Sequence, residues 1–241
     1  DGMGGWLDRN AGSRWGAAMI TIKVSGDFGV GLIGNLQKQV KFATAKALTR
    51  TALAVQRAIP QALERELDRP NQFTKGGTFI TPARKDNLQA VVGFKDKQAR
   101  YMRLQIEGGT RAPGARGIKL PGNVELDQYG NIPRGQIAKL IAAARSGKYG
   151  KAVRARLGIN LKGRAPAGLS LFYGKPAGRP DLPVGIYRRM PNGLMPVVLF
   201  TQKTLHYKPR FKLQALAERV VRETFPNEFN TALDDAMRTA R

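Results

Sequence analysis

The chain has 241 residues, no cysteine, a single histidine, and 41 Lys and Arg against 17 Asp and Glu, for a formal net charge of +24. Without cysteine there are no disulfide staples and no thiolate zinc sites. With 42% apolar residues the chain can bury a sizeable core, and self-repulsion at +24 calls for a polyanionic or acidic partner, nucleic acid foremost.

Residues 1–18 are Gly-rich, lack an apolar period and lack the h-region of a signal peptide, and Met19 reads like a second beginning. Two readings stand level for this segment. It is an arm that orders on a partner, with Trp6 and Trp15 as anchors, or it is an upstream extension of little consequence. Ile20, Ile22 and Val24 alternate with polar residues, which predicts a short half-buried strand. Gly26 to Gly34 is a turn-rich link. Leu36, Val40, Ala43, Ala47, Leu48, Thr51 and Val55 then recur at three- and four-residue steps, the stripe of one long amphipathic helix running toward Pro70. Asn35 is placed as its N-cap, and Pro60 predicts a kink or a break, because it removes a backbone donor.

Leu88, Ala90, Val92 and Phe94 alternate after the turn signal Lys85-Asp86-Asn87, which predicts a β-hairpin with TFITPA. A short helix starts near Tyr101 and dissolves at Gly108. Residues 118–135 read as an extended, turn-punctuated loop. A helix follows over Ile132–Arg145 with Pro133 in its first turn, then a basic loop or arm at about 146–168. LSLFYG, VGIYRR and MPVVLF are short apolar strands, the last two joined by the hairpin signal Asn192-Gly193. The C-terminal stretch reads as helix to Phe225, with Pro226 opening a second segment that carries Phe229, Leu233 and Met237. The order predicts an α+β fold: a small antiparallel sheet packed with a long N-terminal and a long C-terminal helix, one domain over 19–241 with a basic loop insertion.

The charge is concentrated. Residues 134–164 carry nine Lys and Arg and no acid: Arg134, Lys139, Arg145, Lys148, Lys151, Arg154, Arg156, Lys162 and Arg164. An ordinary solvated face mixes both signs. The Ala-, Ile- and Leu-rich helix makes a poor reader of base edges, and Tyr149 is almost the only aromatic available for base stacking. Lys and Arg spaced by Gly and Ala suit sequence-blind contact with duplex phosphates. No apolar run approaches a membrane span, so no membrane partner is expected. Carboxylates are scattered, no phosphate loop or dinucleotide motif is present, and His206 reads as an ordinary aromatic. No catalytic, cofactor or metal site is expected, and the chain is not read as an enzyme.

FTQKTLHYKPRFKLQALAERVVRETFPNEFNTAL, through Arg219, Phe225, Pro226 and Glu228, resembles the C-terminal end of the minor tail protein Z (tail completion) family of long-tailed phages. VKFATAKALTRTALAVQRAI, centred on Thr49, Arg50 and Ala52, is similar to that family's Ala-rich opening helix. Tyr101, Glu107, Gly109 and Thr110 are similar, with one extra residue, to a motif of related head–tail connection proteins. The resemblance implies a structural virion protein, made in the host cytoplasm, that completes the tail and joins it to the head. It implies a homo-oligomeric ring of six copies around the DNA channel, beside tail terminator, tail tube and head connector proteins. A closed ring needs head-to-tail interfaces, for which Trp6, Trp15, Leu36, Val40, Phe225 and Phe229 are the candidates. The alternative is a cellular, sequence-nonspecific nucleic-acid-binding protein, associated with the nucleoid or the ribosome.

Replacing Lys148, Lys151, Arg154 and Arg156 with Gln leaves folding intact, weakens duplex DNA binding, and lowers the slope of log affinity against log salt by about 3 to 4. Unchanged affinity and slope in a salt titration would place the tract against protein or solvent.

Overall fold

The computed structural model describes residues 7–8, 18–25, 34–115, 117–146, 171–190 and 192–239. In chain order the strands and helices are β1 (Leu7–Asp8), β2 (Met19–Lys23), α1 (Gly34–Glu66), α2 (Gln72–Lys75), β3 (Thr78–Thr81), β4 (Gln89–Phe94), α3 (Asp96–Ile106), β5 (Gly109–Arg111) and β6 (Ile118–Pro121), followed by α4 (Gln136–Ser146), β7 (Leu171–Gly174), β8 (Gly185–Met190), β9 (Gly193–Thr201), β10 (Leu205–Tyr207) and α5 (Leu213–Thr239). The fold is α+β. Long helices α1 and α5 pack together, and the strands form small antiparallel sheets ordered β1-β2-β4-β3 and β6-β9-β8-β7, with a β5–β10 pair. The chain divides into two compact units: residues 1–109 with 206–241, and residues 110–205.

In the first unit, β2 and β4 pair from Met19↔Gly93 to Lys23↔Gln89, and β3 pairs with β4 from Thr78↔Phe94 to Thr81↔Val91. Arg84 and Asn87 close the β3–β4 hairpin with reciprocal backbone hydrogen bonds of 2.9 and 3.1 Å. The predicted hairpin is therefore present. Its inner face joins Leu48, Val55, Ile59 and Leu63 of α1 and Leu213, Leu216 and Val221 of α5 in one buried cluster, with Phe94 edge-on to Phe211 at 6.2 Å.

Helices α1 and α5 run antiparallel. Lys46 meets Asp235 at 3.0 Å, and Arg50 meets Glu228 at 3.1 Å. Ala43, Ala232 and Ala236 are buried against one another beside the Lys46–Asp235 bridge, where small side chains let the backbones approach. Both pairs are half-exposed, so solvent screening leaves each individually weak. Lys46 foremost, then Arg238, holds the Asp235 carboxyl below the ordinary carboxylate range. Its contribution is therefore complete above that range and is lost as pH falls through the lowered value.

The helices differ from the sequence expectation at four points. Helix α1 begins at Gly34, which puts Asn35 inside the first turn, and it runs through Pro60 without a break. Ile59 and Leu63, both fully buried, hold the backbone on either side of that proline. Pro226 likewise lies inside α5 and opens no second segment. There Val221 and Phe225 are buried and Phe225 stacks on Phe229 at 6.0 Å. In both helices packing outweighs local propensity. Helix α3 starts at Asp96, five residues before Tyr101. Its Gln98 is buried and donates to the Phe73 carbonyl at 2.9 Å, above Gly77, where any Cβ would collide with it.

Pro226 is exposed in the interior of a helix, so Pro226→Ala raises unfolding free energy in urea by ~2 kcal/mol, whereas Ile59→Ala lowers it by about 2 to 5 kcal/mol. Destabilisation by Pro226→Ala would mean that the proline matches a bend the core requires.

Candidate functional site

The unit of residues 110–205 is built on the second sheet. Strands β8 and β9 form a hairpin closing at Met190↔Gly193, as Asn192-Gly193 predicts, with a register shift between Ile186 and Tyr187. Strand β7 pairs with β8 through Leu171↔Arg188 to Gly174↔Gly185. On the other edge β6 pairs with β9 from Ile118↔Thr201 to Pro121↔Val198. Residues 118–121, expected in a loop, form this edge strand. Four residues ending in Pro121 carry too short a pattern to register, yet the edge of a sheet accepts that proline.

Ile186, Val197, Val198 and Phe200 form the buried centre of this unit, and Ile137, Leu140 and Ile141 of α4 rest on it only partly buried. The expected helix over Ile132–Arg145 begins instead at Gln136, and Pro133 lies outside it. Gly135 explains the delay. Its φ of +80° is left-handed, so the helix cannot propagate from Pro133 through it.

Between α4 and the sheet lies a groove of about 1280 Å³. Ile137, Ala138 and Ile141 of α4 face Phe200, Tyr173 and Val184 across it, and Lys119, Arg134 and Arg145 supply its charge. Arg145 sits over the Tyr173 ring at 5.7 Å, and that ring meets Phe200 edge-on at 5.9 Å. No acidic residue lines the groove among the described residues. Elsewhere in the unit, Phe172 stacks on Tyr187 at 5.3 Å beneath Arg189 at 5.1 Å. The Tyr187 hydroxyl donates to the Pro183 carbonyl at 2.6 Å, and burial pushes its pKa up.

The electrostatic imbalance is local. Residues 110–205 hold 17 Lys and Arg but only three acids, a net +14, against +10 for the larger remainder. Asp127 and Asp181 are engaged within their own loops. Asp127 accepts from the backbone of Tyr129 and Asn131 at 2.9 Å each, and Asp181 pairs with Arg179 at 2.9 Å. Hydrogen bonding to Arg179 holds Asp181 below the ordinary carboxylate range.

Of the expected DNA-facing residues, Arg134 and Arg145 meet in the groove, while Lys139 stands exposed on α4 outside its lining. Lys148, Lys151, Arg154, Arg156, Lys162 and Arg164 lie outside the described residues, as do Trp6 and Trp15. Leu36 and Val40 are partly buried on α1. Phe225 belongs to the core of the first unit and Phe229 packs against that core, so both rings serve the chain's own interior. Two segments singled out for their resemblance to the tail completion family meet directly: Arg50 of the first bonds Glu228 of the second. Of the third, the Tyr101 hydroxyl lies 3.0 Å from Thr74 Oγ1 and Glu107 is exposed. Sequence reading missed Lys119, Tyr173 and Phe200 as groove residues, because only the sheet register brings them beside Arg134 and Arg145.

Among the described residues no group of three His, Asp or Glu side chains is placed to hold a metal, and no helix is long and apolar enough to cross a membrane. No protein family, curated protein or solved structure matches the chain.

Gly135 has open space around its missing Cβ, so Gly135→Ala costs only backbone strain, ~1 to 2 kcal/mol. Chemical denaturation is expected to show that loss. An unchanged midpoint would show that the turn before α4 tolerates an L side chain.

Proposed function

We propose that the chain is a structural virion protein of a long-tailed phage, assembled as a ring at the neck end of the tail around the DNA path. The observation that carries this reading is the acid-free cationic tract of residues 134–164, set in a unit of net charge +14. Lys and Arg that touch phosphates without reading bases hold DNA through weak, salt-sensitive, exchangeable contacts. Such contacts guide a duplex end through a ring and still let it leave. The resemblance of the Thr49-Arg50-x-Ala52 and Phe225-Pro226-x-Glu228 segments to the tail completion family supports the same reading, and the Arg50–Glu228 bridge gives those two segments a shared structural task. Repulsion between like-charged copies opposes ring closure, so acidic neighbouring proteins or DNA are the natural partners of the assembled form.

Light scattering of the purified chain, with mass spectrometry of phage particles, tests this. The expected result is a closed oligomer of fixed size and the presence of the chain in tails. A chain that stays monomeric at every concentration, binds free duplex tightly by itself and is missing from particles would instead fit a cellular nonspecific nucleic-acid-binding protein.

A further inference from the structure

We infer that the groove between α4 and the sheet is a docking site for an acidic, partly apolar peptide segment of a partner protein, rather than a nucleic-acid contact. The inference goes beyond the proposed ring and does not depend on it. Helix α4 is apolar in composition, yet no residue from Gln136 to Arg145 is fully buried. Ile137 and Ile141 lie open to the groove, and across it Tyr173 and Val184 remain 39% and 40% exposed. A helix of this composition ordinarily buries its apolar stripe. The surface that would complete the burial must therefore bring apolar side chains.

The rim decides the sign of that surface. Lys119, Arg134 and Arg145 stand around the apolar floor with no acid among the described lining residues. A duplex offers charged phosphates outward and nothing apolar for Ile137 or Ile141. An unpaired base would find the Tyr173 ring already covered by Arg145 on its face and engaged by Phe200. The chain's own stretch from residue 147 to 170 carries six Lys and Arg and no acid, so its charge is wrong for this rim. A segment alternating carboxylates with Leu- or Phe-like side chains satisfies both floor and rim, each buried apolar side chain adding on the order of 1.5 kcal/mol or more.

The test uses the full chain and a short fluorescein-labelled peptide alternating Glu or Asp with Leu or Phe. Anisotropy measures its affinity against polyglutamate of equal charge, and hydrogen exchange locates it. The expected result is about tenfold tighter binding than polyglutamate, new exchange protection across Gln136–Arg145, and a loss of about tenfold on Arg134→Gln with Arg145→Gln, two exposed positions. Arg100→Gln with Arg103→Gln, on the exposed face of α3, leaves affinity within about twofold. Equal affinity for polyglutamate, or protection confined outside α4, overturns the proposal. So does a groove variant that weakens single-stranded or duplex DNA binding while leaving the peptide untouched.

Discussion

The contact between α1 and α5 is the constraint on which the first unit depends. It joins the N-terminal part of the chain to its last helix across more than half the sequence, with Lys46–Asp235 and Arg50–Glu228 alongside a seam of alanines. The bridges are half-exposed and individually weak. Their effect is on register, because a shift by one turn would part both pairs and force larger side chains into the alanine seam. Burial of Leu48, Ile59, Leu63, Leu216 and Val221 supplies most of the stabilisation. That packing is also strong enough to carry both helices through an interior proline.

Much of this was readable before any coordinates. The alternation in β2 and β4, the Asn192-Gly193 hairpin and the stripe from Leu36 to Val55 each state a period, and a period maps onto one geometry. The errors fall where a local rule met a distant one. Pro60 and Pro226 are helix breakers by local chemistry, and residues remote in sequence override them. Gly135 acts the other way, since a local backbone preference cut short a helix that composition alone would have extended. The groove was only half legible. Arg134 and Arg145 stood out by charge, whereas Tyr173, Phe200 and Lys119 acquire meaning only once β6, β9 and β7 are in register.

Charge in this molecule is sorted by role. Several acids of the first unit form bridges to cations, such as Glu64–Lys75 at 2.7 Å and Asp235–Arg238 at 2.7 Å. In residues 110–205 two of the three acids serve a turn and a local pair, which leaves most of the cations there without an acidic counterpart in the sequence. Unpaired cations beside exposed apolar groups describe a surface that gains most when a partner covers it. The proposed ring rests on the tract as a whole, whereas the proposed peptide site takes Arg134 and Arg145 from its N-terminal end, where they flank the helix-lined groove.

The chain leaves the first unit at Gly109 and re-enters it at His206. Just outside those positions Gly108, with φ of +74°, lies so near the Tyr207 carbonyl that a Cβ would stand 2.8 Å from its oxygen. Departure and return are thus adjacent, and the 96 intervening residues form an excursion from a framework that closes without them. An excursion tied at its neck can lengthen, shrink or change composition at small entropic cost to that framework. Descent with one helical frame and divergent excursions is therefore physically easy, which makes the segment between Thr110 and Leu205 the natural place for relatives to adapt to different neighbours.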